Sequence, residues 1–441
     1  MVDSGRHCIM NSLFTPSTFS SQQSSKLNKY YSFQYTLTYF SPDLHTDNNN
    51  FYMYGSSTPA ITKFDTDLNV IYSKKITTPT TQNPILSSLK VNTDSSSNIY
   101  LTTGTTLDSP NCRHFLKINS SGNIVWQKAF SASLISNFSR VVLDSQDNIY
   151  IGAYDSTSNT RIFKFDTSGN KIWEKKITPS SGRTNETNFC IGDNDSIYIC
   201  GTDGSVATNG YICKIDSSGN PVWHRYTTSG LPYLKNVSYI NGSIYVSSIN
   251  GEIFKFDTNG NLLLSKKINI DSSNSGYTEF ISFDNETIDI ILRRPDTVTT
   301  EYTSYLIKLD ANFNILKQKR SRVLNTTTPS EGLSLIKIGN KKYILESQSS
   351  FGTVIYQINE NLSSNFEKNN LIYNKSNLSY DGILLIKDEN YVSITNNSVT
   401  FNSDVTISVS DVTTSTTVKD LSIIDFDLFI NGNFTKTYRI D

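Results

Sequence analysis

Residues 144–176 read DSQDNIYIGAYDSTSNTRIFKFDTSGNKIWEKK, and this stretch contains the two motifs that decide the fold. The first motif is Asp-x-x-x-Asn-Ile-Tyr-aliphatic, with its tyrosine at Tyr150. The second is Lys-aromatic/aliphatic-Asp-x-x-Gly-Asn-x-x-Trp-x-Lys, which starts at Lys164 and contains Trp173. The two motifs alternate along the chain, so internal repetition is the strongest signal in this sequence.

The tyrosine motif recurs at nearly constant spacing along the chain. Its clear copies contain Tyr100, Tyr150, Tyr198 and Tyr245, and looser copies place Tyr52, Asp289, Tyr343 and Tyr391 in the same slot. All three tryptophans of the chain occupy the slot of the second motif, namely Trp126, Trp173 and Trp223. Weaker copies of the second motif start at Lys63, Lys255, Lys308 and Gln357, and a decayed copy covers residues 400–404.

Each period contains four strand-like runs, which in the third period are residues 138–145, 148–154, 161–167 and 170–177. The turns between them are rich in Asp, Ser, Asn and Gly, which suit tight hairpins. Four antiparallel strands in about 40–50 residues are typical of a propeller blade. The sequence therefore predicts an all-β propeller of four-stranded antiparallel blades. The repeat count favours eight blades, with a degenerate last blade, and seven blades plus a C-terminal appendage is the alternative.

The domain boundaries follow from where the period begins and ends. Residues 1–29 are polar and aperiodic, and we interpret them as an N-terminal arm. Residues 30–411 form the predicted propeller. Residues 412–441 are interpreted as a C-terminal hairpin or anchor, because two strand-like runs flank the turn at residues 431–433. This hairpin either closes the ring or docks onto a partner.

The alternating motifs resemble bacterial β-propeller repeats related to the quinoprotein (PQQ-like) and seven-bladed propeller repeat families. The resemblance covers roughly residues 31–411 and is specific for the blade. It implies that Trp126, Trp173 and Trp223 are structural and tie neighbouring blades together. It does not carry enzyme activity over, because quinoprotein dehydrogenases use an adjacent pair of cysteines, which this chain lacks.

Composition excludes several classes of protein. The formal net charge of −1 argues against a general nucleic-acid binder. No apolar run is long enough for a membrane helix, and the N-terminus lacks the apolar segment of a signal peptide. The five cysteines are an odd number, and the four histidines have no metal-ligand spacing, so we expect no disulfide framework, metal or cofactor. Cys190, Cys200 and Cys213 fall on successive strands and are expected to be buried free thiols.

Long irregular loops are predicted on one face of the ring, because the connections between second and third strands and those between blades lie on the same side. Rigid scaffolds carry binding residues on such loops, and drift under weak constraint is the alternative explanation. The candidate binding residues on this face are Asp108, Asn111, Arg113, Arg183, Asp203, Arg293, Arg294 and Tyr302. Arg113 with His114, or Arg293 with Arg294, would suit an acidic ligand.

No catalytic signature is present, so we expect a non-enzymatic protein. The first hypothesis is a structural or adhesive propeller of a bacteriophage particle, made in the host cytoplasm, whose loop face binds a host-surface glycan or a neighbouring subunit. Residues 1–29 and 412–441 would anchor it to other virion proteins. The alternatives are a cellular interaction scaffold or surface adhesin, and a carbohydrate-active enzyme with two facing carboxylates.

Overall fold

The computed structural model is built almost wholly of antiparallel β-strands, which form seven sheets. Among the described residues the only helical element is a single 3-10 turn, Asp193–Asp195. None of the described helices has the length and apolar character needed to cross a membrane. The structure describes residues 27–33, 42–55, 60–77, 86–105, 112–131, 135–157, 159–178, 184–203, 209–227, 234–270, 277–283, 287–295, 302–324, 330–348, 352–359, 366–375, 378–387, 392–396, 401–402, 408–411, 422–425 and 434–440.

Six sheets each contain four consecutive strands, and the seventh contains three consecutive strands and one strand from the N-terminal region. Strands from the C-terminal region add to the edges of six of these seven sheets. We number the sheets as blades 1 to 7. The strands are β1 Leu27–Phe33, β2 Pro42–Thr46, β3 Phe51–Gly55, β4 Ala60–Phe64, β5 Val70–Thr77, β6 Leu86–Thr93, β7 Ile99–Thr105, β8 Cys112–Ile118, β9 Ile124–Ser131, β10 Asn137–Leu143, β11 Ile149–Tyr154, β12 Thr160–Phe165, β13 Lys171–Thr178, β14 Thr184–Ile191, β15 Ile197–Asp203, β16 Asn209–Ile215, β17 Pro221–Thr227, β18 Leu234–Ile240, β19 Ser243–Ser248, β20 Glu252–Asp257, β21 Leu262–Ile270, β22 Tyr277–Phe283, β23 Thr287–Pro295, β24 Tyr302–Asp310, β25 Ile315–Leu324, β26 Ser330–Ile338, β27 Lys341–Gln348 and β28 Gly352–Asn359. Blades 1 to 6 are β2–β5, β6–β9, β10–β13, β14–β17, β18–β21 and β22–β25, and blade 7 is β26–β28 with β1.

The ring closes between blades 7 and 1. The first strand of each blade contacts the first strand of the next blade, and β26 contacts β2. Phe51 stacks on Tyr343 with 4.8 Å between ring centroids, and the Tyr343 hydroxyl donates to the Thr66 carbonyl at 2.6 Å. The propeller prediction is confirmed, but the described strands form seven blades, which is the alternative rather than the favoured count of eight.

The C-terminal strands explain why the repeat count favours eight blades. Its strands are β29 Phe366–Lys375, β30 Leu378–Lys387, β31 Val392–Asn396, β32 Phe401–Asn402, β33 Ser408–Asp411, β34 Ser422–Asp425 and β35 Phe434–Ile440. They do not make an eighth blade, since β30 to β34 add a fifth strand to the outer edges of blades 6, 5, 4, 3 and 1 in turn. The degenerate copies near Tyr391 and Phe401 therefore lie at or beside outer-edge strands.

Strands from both predicted end segments pair with strands of the ring. Residues 1–26 of the predicted arm lie outside the described residues. The predicted arm at residues 1–29 overlaps β1, which pairs with β28 and completes blade 7. The predicted C-terminal hairpin is not formed by its two strands, since β34 pairs with β5 and β35 pairs with β1. Edge strands of the ring offer unpaired backbone groups, and these outcompete the local turn.

The core lies between blades rather than within them. One cluster joins Tyr150 and Ile162 of blade 3 to Phe189 and Ile199 of blade 4, and all four side chains are fully buried. Equivalent clusters join blades 1 and 2, 2 and 3, 4 and 5, 5 and 6, and 7 and 1. Each blade therefore buries both of its faces, which explains the continuous apolar runs in its inner strands.

The tyrosine motif is explained by one buried carboxylate. Asp144 Oδ1 accepts hydrogen bonds from the backbone amides of Gln146 and Asn148, which fixes the turn between β10 and β11. Its Oδ2 accepts the Tyr150 hydroxyl and lies 3.2 Å from Lys164 Nζ, and that ammonium also lies 4.9 Å from the Tyr150 ring centroid. One motif thus connects a turn to the second and third strands. Blades 1, 2 and 4 repeat the arrangement around Asp47, Asp94 and Asp193.

The tryptophan motif connects one blade to the next. Asp166 holds the turn between β12 and β13 by accepting the amides of Ser168 and Asn170. Trp173 Nε1 donates to the Ser217 carbonyl in the corresponding turn of blade 4 at 3.2 Å. Trp126 and Trp223 make the same contact with blades 3 and 5. Each indole therefore bridges two neighbouring blades.

The Asp144 and Asp166 turns offer a matched pair of variants. Both aspartates accept two backbone amides and one Asn side chain, but Asp144 alone also binds a tyrosine and a lysine. We expect Asp144→Ala to lower the free energy of unfolding by about 3–5 kcal/mol, because it leaves Lys164 buried without its carboxylate. We expect Asp166→Ala to cost about 1 kcal/mol. Denaturant unfolding measures both, and equal losses would show that the tyrosine and lysine contacts contribute nothing.

Candidate functional site: the axial ring

Most loop-face candidates fall where side chains are not described. Asp108, Asn111 and Arg183 lie outside the described residues. Asp203, Arg293, Arg294 and Tyr302 lie at strand ends of which the structure describes the backbone alone, so the predicted cluster stays a prediction.

Arg113 has a described side chain, and it bridges two blades. Its Nε donates to the Ser136 carbonyl at 2.8 Å, across the boundary between blades 2 and 3. His114 beside it is 1% exposed, so the predicted Arg113–His114 pair does not face a common ligand on the loop face.

The three cysteines of blade 4 are buried free thiols, as predicted. Cys190 and Cys200 pack in the core between blades 4 and 5, and Cys213 packs in the core between blades 3 and 4. Burial raises the pKa of the Cys190 and Cys213 thiols to about 12, so neither forms a thiolate near neutral pH. Among the described residues, no group of three or more His, Cys, Asp or Glu side chains has an arrangement that could hold a metal ion.

A polar ring surrounds the axis of the propeller. In each of blades 1 to 5, one residue of the first strand pairs with the second-strand residue that lies two positions after the tyrosine slot. This first-strand residue is polar and partly exposed in all five blades. With His45, which pairs with Tyr52, these residues form what we call the axial ring: Asp43, His45, Lys90, Arg140, Asn188 and Asn236. Neighbouring first strands contact one another around the ring, so these side chains come from five blades but share one region.

Hydrogen bonds connect the axial ring from blade to blade. Arg140 Nη1 donates to Asn188 Oδ1 at 2.7 Å, and Asn188 Nδ2 donates to Asn236 Oδ1 at 3.5 Å. In blade 1, His45 Nε2 lies 2.9 Å from Thr93 Oγ1 of blade 2. Arg140, Asn188 and His45 are thus each oriented by a side chain of the next blade.

His45 feels charges from its own blade and from blade 3. Burial lowers its pKa to about 4, while Asp43 and Asp47 oppose that effect and Arg140 adds to it. Arg140 belongs to blade 3 and His45 to blade 1, so the electrostatic effect crosses from one blade to another. The imidazole itself is half-buried.

The charges of the axial ring favour the binding of a negatively charged hydrogen-bond acceptor. The carboxylate of Asp43 already accepts the Leu44 amide and the Tyr54 hydroxyl. Lys90 and Arg140 are the two cations of the ring, and His45 is neutral near pH 7. Cationic N–H donors bind carboxylates and phosphates more strongly than neutral donors do. The ring can therefore hold a negatively charged group near its two cations.

Sequence reasoning missed these residues. Arg140, Asn188 and Asn236 recur at a constant spacing, each a few positions before a first-to-second-strand turn. An alignment of the repeats would have shown one polar slot within otherwise apolar first strands. The identity of that slot changes from blade to blade, so it does not stand out as a motif.

The depressed pKa of His45 predicts an acid-sensitive fold. In the unfolded chain the imidazole titrates near its ordinary value of 6.5, so below that pH the unfolded state binds more protons and stability is lost as the pH falls towards 4. We expect wild type to lose about 2 kcal/mol more than His45→Asn between about pH 7.5 and about pH 5. Urea unfolding at both pH values measures the difference, and identical losses would contradict the assignment.

Neither a known protein family nor a curated protein sequence matches the chain. Solved structures that resemble it include a streptogramin B lyase, with a TM-score of 0.49 and 12% identity over 75% of this chain and 98% of the other. BamB from Moraxella catarrhalis has a TM-score of 0.42 and 14% identity over 74% and 98% of the two chains. BBS1N in complex with ARL6DN has a TM-score of 0.44 and 10% identity over 74% and 96%.

Proposed function

We propose that the protein is a non-enzymatic binding scaffold whose axial ring receives an acidic group of a protein partner. The observation that carries this proposal is the hydrogen-bonded chain from Arg140 through Asn188 to Asn236. It holds a cationic donor in one orientation at the centre of a closed ring. Preorganised donors bind with little loss of side-chain freedom, which favours affinity.

The turns around the axis keep this arrangement rigid. The Ser95 hydroxyl of blade 2 donates to Asp147 of blade 3 at 2.6 Å, and the Ser145 hydroxyl of blade 3 donates to Asp195 of blade 4 at 3.0 Å. These bonds join successive turns on the face opposite the irregular loops. The fixed face supports the first strands, so a ligand that enters from the loop face meets a stable ring.

A more specific form of the proposal places this scaffold in a bacteriophage particle. What supports it is the Asn-, Thr- and Ser-rich composition and the unpaired cysteines, which suit a protein made in a reducing cytoplasm. In that setting the axial ring and the loop face would contact an acidic host glycan or a neighbouring subunit. The same ring would serve a cellular interaction scaffold equally well, since fold alone does not assign a setting.

Sedimentation of tagged variants expressed in the native source tests the proposal. We expect wild type to sediment in a complex and Arg140→Gln to shift towards the monomer of 49.5 kDa. The loss should be at least about tenfold in the bound fraction, because a charged hydrogen bond at the centre of an interface is removed. Mass spectrometry of the wild-type fraction identifies the partner, and capsid and tail proteins there would support the virion setting.

Lys341→Gln is the matched control. Lys341 Nζ donates to the Thr66 carbonyl and lies 3.2 Å from Asp67 Oδ1, in a turn on the face opposite the irregular loops. The substitution therefore removes one cation that lies away from the axial ring. This variant should sediment with the complex, like wild type. Wild type that runs as a free monomer would contradict the proposal, and so would a complex that Arg140→Gln retains in full.

A further inference from the structure

A second surface lies on the outer strands, where six apolar side chains stay exposed. Among the described residues the large apolar side chains that are exposed to solvent are 50 to 54% exposed, and all occupy one slot. We call this set the bulge row: Ile71, Val125, Ile172, Val222, Leu263 and Leu316. Each blade from 1 to 6 contributes one member, from its fourth strand.

Every member of the bulge row is the extra residue of a β-bulge. In blade 3, Lys164 pairs with Trp173 and Phe165 pairs with Lys171, so Ile172 has no partner in the ladder. The same skip occurs in the other five blades. A bulge redirects a side chain relative to the regular pleat, and here it turns an aliphatic residue towards solvent six times.

Duplication of an ancestral repeat does not by itself explain why the bulge row is aliphatic in all six blades. The residue that follows each bulge is the tryptophan slot, and it has changed to Tyr72, Leu264 and Lys317 in three of the six blades. The exposed slot has remained Ile, Val or Leu throughout. A position in solvent has thus stayed more uniform than a position that bridges two blades.

A cation accompanies each member of the bulge row. Three residues further along each fourth strand stands Lys or Arg, namely Lys74, Lys128, Lys175, Arg225, Lys266 and Lys319. Three of these stems pack over the neighbouring blade, since a Cβ on Gly122, Gly169 or Gly219 would lie 2.8 Å from Lys74, 3.2 Å from Lys128 or 2.6 Å from Lys175. Arg225 donates from Nε and Nη2 to the Gly260 and Asn259 carbonyls of the next blade. The slot therefore combines an apolar group with a positive charge near the boundary between blades.

The chain itself shows which residues pair beside this slot. Asp411 of β33 pairs with Lys175, and Asp425 of β34 pairs with Lys74. Both aspartates are the last described residues of their strands, and the bulge residue lies three positions before the paired lysine on the same edge. Ile71 and Ile172 are each 51% exposed. In blade 2 no described strand pairs with the outer edge, and in blade 4 the added strand pairs only with Tyr226 and Thr227.

We propose that the bulge row, at Val125 with Lys128 and at Val222 with Arg225, binds an extended protein segment in which an aliphatic residue stands three positions after Asp or Glu. The apolar residue of the segment covers the bulge side chain, and its carboxylate pairs with the cation. Several blades can each bind one such segment, so a partner with repeated motifs would gain avidity. This surface is separate from the axial ring and does not depend on it.

A peptide of residues 422–428 of this chain, Ser-Ile-Ile-Asp-Phe-Asp-Leu, is the probe. Fluorescence anisotropy of the labelled peptide with the full-length protein should show saturable binding that weakens as salt rises from about 50 to about 300 mM. The peptide with Asp425→Asn and Asp427→Asn should bind at least about fivefold more weakly, because both carboxylates are lost.

The double variant Val125→Thr with Val222→Thr should also weaken binding at least about fivefold, since threonine keeps the β-branched shape but loses apolar contact. Ser121→Thr with Ser218→Thr, in exposed turn positions of the same two blades, is the control and should bind like wild type. Circular dichroism melting checks that both variants stay folded.

Three results would overturn the proposal. The first is peptide binding that does not saturate at millimolar protein. The second is equal affinity of the peptide for wild type and for the Val125→Thr, Val222→Thr variant, which would indicate that the peptide exchanges with β34 on blade 1. The third is binding to phosphatidylserine vesicles without binding to the peptide, which would assign the surface to an anionic membrane instead.

Discussion

The rest of the structure depends on a buried aspartate in the turn between the first and second strands of a blade. In blade 3, Asp144 receives two turn amides, the Asn148 side chain, the Tyr150 hydroxyl and the Lys164 ammonium. Burial acts to raise the pKa of Asp144, but the hydrogen bonds and Lys164 outweigh it and lower that pKa. A charged group buried in this way is stable only when every partner is present, which explains why Asp, Asn, Tyr and Lys recur together.

The sequence predicts the blade well because this dependence is local. The carboxylate, amide, hydroxyl and ammonium all lie within a single repeat, so a comparison of repeats reveals them together. Closure of the ring is different, because β1 near the N-terminus pairs with β28 of the last blade and has no part of the motif. The residues near Tyr391 keep traces of the motif but pair with an outer edge. A motif count therefore overstates the number of blades.

The two candidate surfaces were hidden for opposite reasons. Arg140 and Asn236 occupy one slot whose residue type varies, and their approach to the axis follows only from the curvature of the ring. Val125 and Val222 are constant in type, and each stands directly before a tryptophan. Aliphatic residues beside a tryptophan are usually interpreted as core residues. Their exposure here depends on a β-bulge, which the residue pattern does not reveal.

Blade 6 shows what happens when the repeated motif is replaced. Asp289 takes the tyrosine slot and pairs with Lys342 of blade 7, and the two are 3% and 1% exposed. Burial raises the pKa of Asp289 and lowers that of Lys342, while each charge partly offsets the shift of the other. A buried ion pair adds little stability, but either charge alone would be strongly unfavourable. The pair therefore disfavours any arrangement in which blade 7 packs against a blade other than blade 6.

The constraints of the fold act differently on residues at the axis and on residues at the outer edge. Positions that bind the turn aspartate or bridge two blades are constrained by the fold, so binding residues can arise only where the motif leaves freedom. The axial ring consists of one Asp, one His, one Lys, one Arg and two Asn residues, which suits a single asymmetric group held by Arg140 and Lys90. The bulge row is alike in six blades, which suits a contact that is made repeatedly. In these two proposals, one scaffold presents a unique site at its centre and equivalent sites around its circumference.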